Sequence, residues 1–276
     1  ASLSAESRSS ATTILLSTVL RWMNAPDSTI DKHSRKLLAF TDNRQDAALQ
    51  AGHFNDFVFV TMLRGAIINA LRQAPGGVLE EANIGQEVQR SLRFLAASEF
   101  SSRADEWLVN TGVKGERRND AEAILRQNLQ HLFWVDQRRG WRYTNPNLEQ
   151  LGLLVARYKY LDDIASDEGE FVASPILINA SPEERKRALK AVYDHMRKGL
   201  AVDSGALNRL KLEELSGKNH NLIKSPWNIE DDRIVTSTIF MTVPPKRKEM
   251  KNKDEDKLLR GSPTSAIGRK IRDMTF

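Results

Sequence analysis

The sequence predicts a mainly α-helical chain with a small α/β part near its start. Three observations lead there. Apolar residues recur at three- and four-residue spacing through most of the 276 residues. One apolar run, residues 37–40, has no polar break; it is too short for a helix and suits a strand buried on both faces. A polar turn follows it at once, and the pattern then becomes helical. Strand, turn and helix in that order form the α/β part.

The elements follow in chain order. Residues 4–24 read as a helix with Ala5, Ile14, Leu15, Thr18, Val19 and Trp22 on an apolar face, stopped by Pro26. Asp42 with Gln45 three residues on reads as an N-cap and capping box. The helix after Asn43 is expected to run to about Gln73 on an apolar stripe of Ala47, Ala48, Ala51, Phe54, Val58, Met62 and Ile67. Ala74, Pro75, Gly76 and Gly77 end it. Residues 84–97 form a second helix, 100–109 continue in helical pattern, and 111–119 read as a loop.

Residues 120–132 form another helix. Then 133–136 and 141–144 read as two short strands joined by a turn at Gln137, Arg138, Arg139 and Gly140. Asn145 and Pro146 open a further helix with Leu148, Leu151, Leu154 and Val155 apolar. Helices followed by a basic hairpin read as a winged helix with the hairpin as its wing. Ser181, Pro182, Glu183 and Glu184 start a helix well: an N-cap serine, proline at the first helical position and acids in the first turn. Leu189, Val192, Tyr193, Met196 and Leu200 are its expected buried face. A short helix over 207–215 and an extended segment over 234–243 complete the ordered part.

Composition excludes several classes. There are no cysteines, so disulfides and thiolate metal sites are ruled out; this fits a reducing cytosol. No uninterrupted apolar run approaches the roughly 20 residues needed to cross a bilayer, and no secretory leader is visible. We expect a cytoplasmic protein with no membrane partner. Ala1 stands where an initiator Met would, and the sequence reads as a piece of something longer. The formal charge is +5; residues 244–276 alone hold ten Lys and Arg against five Asp and Glu, which suggests a linker or a phosphate contact.

The chemistry was sought motif by motif. A phosphate-cradling GxxxxGK[ST] loop is absent; Gly217 and Lys218 lack its other members. Asp254, Glu255, Asp256 and Lys257 imitate a DExx box by letter but sit in a lysine-rich run. The histidines, His33, His53, His131, His195 and His220, have no ligand spacing, and no GxSxG elbow occurs. No catalytic or metal residues are assigned, and the isolated chain is expected not to hydrolyse ATP. Two groups remain as nucleic-acid candidates. Thr41, Asp42, Asn43 and Arg44 lie at a strand's carboxyl end and a helix start, where backbone N–H groups favour anions; an ordinary capped helix would carry the same letters. Arg138, Arg139 and Arg142 interleave with Trp134, Trp141 and Tyr143, so cations for phosphate stand beside rings for bases. The rings would equally serve to pack the hairpin on its own helices.

The stretch LLAFTDNRQDAALQAGHFNDF, residues 37–57, resembles the start of the second RecA-like domain in large bacterial superfamily 2 DEAD/DEAH-box helicases of phage-defence islands, such as DISARM and Druantia systems. GWRYTNPNLEQLGLL (140–154) and SPEERKRALKAVYDHMRKGLAV (181–202) resemble the same proteins further on, in the same order. The resemblance implies that residues 37–44 carry helicase motif IV. It also implies four regions: 1–75 the start of the second RecA-like domain, 76–157 a winged-helix-like helical region, 158–243 a further helical region, and 244–276 a basic linker. ATP and Mg²⁺ are implied for the parent protein, bound mainly outside this sequence. The implied partners are DNA, the rest of the helicase chain and other defence-system subunits. A non-enzymatic winged-helix DNA-binding or protein-docking module is the alternative.

Overall fold

The computed structural model describes residues 2–38, 44–94, 103–139, 146–231 and 234–237. The described chain is mainly helical: α1 (Ser2–Met23), α2 (Arg44–Gln73), α3 (Ile84–Ser91), α4 (Ala104–Trp107), α5 (Glu116–Arg139), α6 (Leu161–Ser166), α7 (Pro175–Ile178), α8 (Pro182–Lys198) and α9 (Arg209–Leu222), with short 3-10 turns between them. It divides into two compact units, Ala1–Ala66 and Ile67–Phe276, and α2 contributes residues to both.

In the first unit, α1 and α2 are held by a hydrogen bond between Thr13 Oγ1 and His53 Nδ1 at 3.1 Å, with both residues buried. Among the α1 side chains the structure describes, Thr13 and Met23 are buried, with Leu16, Val19 and Leu20 half-buried between them. The expected face is corrected: Ile14, Leu15 and Trp22 are exposed, Trp22 by 67%. Leu37 and Leu38 lie in irregular backbone and Leu38 is 80% exposed, so neither is buried in a sheet. A strand covered on both faces needs neighbouring strands, and among the described residues the only β pairing is an isolated bridge elsewhere, Leu108 to Ile223. Residues 39–43, including Phe40, lie outside the described residues.

α2 spans the expected length and stops where the Pro75–Gly77 turn begins, with Gly76 at φ 64°. Its buried side narrows to Leu63, Ala66, Ile67 and Ala70, whereas Leu49 and Val58 are exposed. By length and composition, Ala47–Gln73 is apolar enough to cross a membrane. It nevertheless carries His53, Asp56 and Arg64, and its later turns are buried in protein.

The second unit is organised around α5, on which α3, α8 and α9 pack. Along α5, Ala121, Ile124, Leu125, Asn128, Leu129, His131, Trp134, Asp136 and Gln137 are buried, an unbroken helical period. That period overturns the predicted strand at 133–136. A short run of Phe, Trp and Val fits a strand or a buried helix equally, and here packing decides: Trp134 joins Leu200, Ala206 and Leu207 in one cluster. The expected hairpin therefore lacks its first strand; 140–145 lie outside the described residues.

α3 lies so close to α5 that a Cβ on Gly85 would stand 2.2 Å from the Arg126 backbone oxygen. Asn128 of α5 and Asn219 of α9, both buried, exchange amide hydrogen bonds, and Asn128 also donates to the Trp227 carbonyl at 3.0 Å. Phe94, Trp107 and Trp227 pack their rings together, with Phe94 and Trp227 edge to face at 5.2 Å.

Four more expectations are corrected. α3 ends at Ser91, and Arg93 takes a left-handed φ of 58°. Of the expected helical stretch 100–109, the described residues 103–109 yield only the single turn of α4 before the bridge at Leu108. After Pro146 the chain makes turns rather than a helix: Asn147 and Gln150 bond reciprocally, then Gly152 at φ 70° reverses the chain. The helix over 207–215 exists but runs on to Leu222.

α8 starts as expected. Ser181 and Glu184 form a reciprocal capping box with Pro182 at N1, and that bonding holds the Glu184 carboxyl below its ordinary value. Of the expected face Leu200, just past the helix end, is buried, while Leu189, Val192, Tyr193 and Met196 are half-buried; the buried side chains within α8 are Arg185 and Arg197. Arg185, 1% exposed, donates to the carbonyls of Leu177 at 2.7 Å and Ile178 at 2.8 Å and stacks on Phe171 at 5.1 Å. It thus satisfies the carbonyls that end α7, a task that otherwise falls to water or a glycine cap.

Candidate functional site

The sequence candidates fall into two places. Arg44 is the first described residue of α2; Thr41, Asp42 and Asn43, and with them the expected cap, lie outside the described residues. Arg138 and Arg139 form the last turn of α5 rather than a hairpin tip, and Arg138 is half-buried; Arg142 lies outside the described residues. A helix carboxyl end favours cations whether or not a ligand is present. Arg44 belongs to the first unit and the other two arginines to the second.

The built concavity is in the second unit. A cleft of about 640 Å³ opens between the last turns of α2, the inner face of α5, the segment 154–159 and the later turns of α8. That volume is in the range of small-molecule sites, about 300–1,000 Å³. Ile67, Leu71, Ile84, Phe133, Trp134 and Met196 give it apolar walls. Glu81 anchors one side: its Oε1 accepts from Gln130 Nε2 at 2.6 Å, Ser204 Oγ at 2.7 Å and Trp134 Nε1 at 3.3 Å. These bonds fix the Trp134 ring. Beside it Gln137 is 3% exposed, and its Oε1 has no hydrogen-bond partner.

On the opposite side Arg197, 8% exposed, is bonded through Nε and Nη2. Its Nη2 donates to both Glu149 oxygens, and its Nε donates to the Tyr158 hydroxyl at 3.1 Å. That hydroxyl in turn donates to Asp194 at 2.8 Å, and Lys190 donates to the other Asp194 oxygen at 2.6 Å. Burial pushes the Tyr158 hydroxyl up to about 12, and its bond to Asp194 adds to this against the opposing pull of Arg197. Burial also works to raise Asp194, but hydrogen bonds from Lys190, Tyr158 and Arg197 outweigh it and hold that carboxyl below its ordinary value. Arg197 is driven above its ordinary value: burial opposes this, and the bonds to Glu149 and Tyr158 outweigh burial.

Among the described residues lining the cleft no nucleophile is hydrogen-bonded to a base, and among the described residues no cluster of His, Cys, Asp or Glu is placed to hold a metal ion. The sequence holds no GxxxxGK[ST] loop to cradle phosphates. Sequence reading missed Glu81, Gln137, Tyr158 and Arg197. Arg185 and Arg197 lie twelve residues apart on α8, among its apolar positions, and that was the available signal. Glu81 and Gln137 carried none, since their meeting depends on α5 continuing past Leu132.

No protein-family model, curated protein or solved structure matches the chain.

Proposed function

We propose that the chain is a segment of an ATP-dependent DNA helicase or translocase of antiviral defence, acting in the cytoplasm. It would supply nucleic-acid contacts and couple domains, while ATP and Mg²⁺ are held by other parts of the parent protein. The observation that carries this reading is the stretch 37–57, whose letters resemble motif IV and whose described helix begins at Arg44, after the polar letters of 41–43. A helix start of 30 residues' length offers unpaired N–H groups and a positive dipole end to a phosphate. Exposed Leu37 and Leu38 are, on this reading, where further strands of a RecA-like sheet pack.

The alternative, a non-enzymatic winged-helix module, rested on the hairpin, and α5 runs through the position of its first strand. The test is the complete reading frame and its activity. A Walker A motif upstream and a glycine–arginine motif downstream are expected. In that full-length protein Arg44→Ala should lower DNA-stimulated ATP hydrolysis with little change in the unfolding curve. Loss of fold with normal activity of the folded fraction would return Arg44 to a structural role.

A further inference from the structure

The cleft of the second unit has an ordered chemistry that the helicase reading does not use. Arg197 Nε and Nη2 serve Tyr158, Glu149 and Asp194, and the Tyr158 hydroxyl serves Asp194. Gln137, 3% exposed, donates through Nε2 to Asp136 Oδ2 at 3.2 Å, while its Oε1 has no partner. A buried acceptor without a donor costs about 1–3 kcal/mol. Such a cost is recovered when a ligand in the cleft that Gln137 lines supplies an N–H. Beside it Trp134 and Tyr193 line the walls with aromatic surface. At the exposed rim stand Arg157, which has no acidic partner among the described residues, and Lys159, held only loosely by Glu80 at 3.6 Å. Asp203 is the opposing charge at that rim.

A ligand matching all three layers has a flat aromatic body, an N–H donor at its inner edge and an anion at its outer end. We propose that this cleft binds a nucleotide whose base carries an N–H donor, with that N–H on Gln137, the base against Trp134 and the phosphate at Arg157 and Lys159. Stacking on such rings is worth about 1–3 kcal/mol per base, and the N–H, present on adenine and at N3 of thymine but absent from N3-methylthymine, supplies selection. The same chemistry is offered by a free nucleotide and by a base drawn from a single strand. Only the strand source rests on the helicase reading.

The experiment is isothermal titration calorimetry on the purified 276-residue chain with dAMP, dTMP and N3-methyl-dTMP, and with the oligonucleotide (dA)8. We expect saturable binding of dAMP and dTMP, with N3-methyl-dTMP about tenfold weaker, the upper end for one hydrogen bond. Gln137→Leu should bring dAMP down to the N3-methyl-dTMP level. Arg157→Ala, an exposed change that leaves the core intact, should weaken all three alike. Tighter binding of (dA)8 than of dAMP marks a strand as the source; equal binding marks a free nucleotide. Absence of saturable binding, equal affinity for dAMP and N3-methyl-dTMP, or unchanged affinities in Arg157→Ala would overturn the proposal, and the last two stand even if Gln137→Leu fails to fold. A full-length protein without a Walker A motif would defeat the helicase reading and leave dAMP binding untouched.

Discussion

Glu149 meets Arg197 through one guanidinium nitrogen, Nη2, which lies 2.8 and 2.9 Å from its two carboxylate oxygens. Glu149 comes from the turn after Pro146 and Arg197 from the last turn of α8, so the pair ties an irregular segment to a helix. Its partner being nearly buried, removal of Glu149 leaves a charge with too few acceptors. Glu149→Ala should destabilise the fold by about 1.5–3 kcal/mol, the range for hydrogen bonds to charged groups. That is less than for a wholly enclosed pair, because Asp194 still accepts from Arg197 at 3.3 Å. Urea unfolding measures it, and a loss under about 0.5 kcal/mol would place the pair among ordinary surface bridges.

The same network fixes a pH window. Asp194 titrates below its ordinary 3.8 in the fold, so its contribution is present above that value and is lost as pH falls through the folded value. Tyr158 moves the other way, from 10.0 to about 12; its contribution is full below 10.0 and is lost as pH rises toward 12. Stability against pH should therefore fall at both ends. Asp194→Asn should flatten chiefly the acid limb and Tyr158→Phe chiefly the alkaline limb, each with a smaller change at the other end because the two side chains are hydrogen-bonded to each other. A variant that leaves its own limb unchanged contradicts the assignment.

Two glycines should respond with opposite signs. Gly85 of α3 faces the Arg126 backbone oxygen, which cannot rotate aside, whereas Gly217 of α9 has nothing within 4 Å of a built Cβ. Overpacking costs about 1–3 kcal/mol, and alanine in a helix regains up to about 1 kcal/mol over glycine. Gly85→Ala should thus lose about 2 kcal/mol net, and Gly217→Ala should gain about 0.5–1 kcal/mol. Thermal melts of both variants decide; shifts of the same sign would mean that α3 and α5 separate at little cost.

Legibility in the sequence followed locality. The α2 stop at Pro75 and the Ser181–Glu184 box depend on residues within one turn of each other, and both were readable. What failed depended on distant partners. Phe133 to Asp136 has the letters of a strand, but Trp134 packs on Leu200 and Leu207, more than sixty residues later. The apolar positions of α8 were visible, yet its deepest side chains are arginines, because carbonyls ending α7 and the carboxylate of Glu149 need donors there. On α1 apolar residues stand on both sides, Ile14, Leu15 and Trp22 exposed and Leu16, Leu20 and Met23 turned inward, and composition alone does not reveal which face meets His53. The cleft was illegible for the same reason: its walls come from five separated stretches.

Arg138 and Arg139 pose the sharpest functional choice, because their position at the end of α5 gives them two possible roles. As cations in a last helical turn they would stabilise α5 by about 0.3–1 kcal/mol each through the helix dipole. As phosphate contacts they would raise DNA affinity with little regard to sequence, and each contact would add roughly 0.7–0.9 to the slope of log affinity against log salt. Replacing both with Ala separates the roles, since the dipole is sensed by the unfolding midpoint and the phosphate by the salt slope. Under the proposed function the double variant should bind duplex and single-stranded DNA more weakly across unrelated sequences, with a slope flatter by roughly 1–2 and a small change in melting temperature. An unchanged slope with a lowered melting temperature would assign both arginines to the helix end and remove them from the nucleic-acid surface.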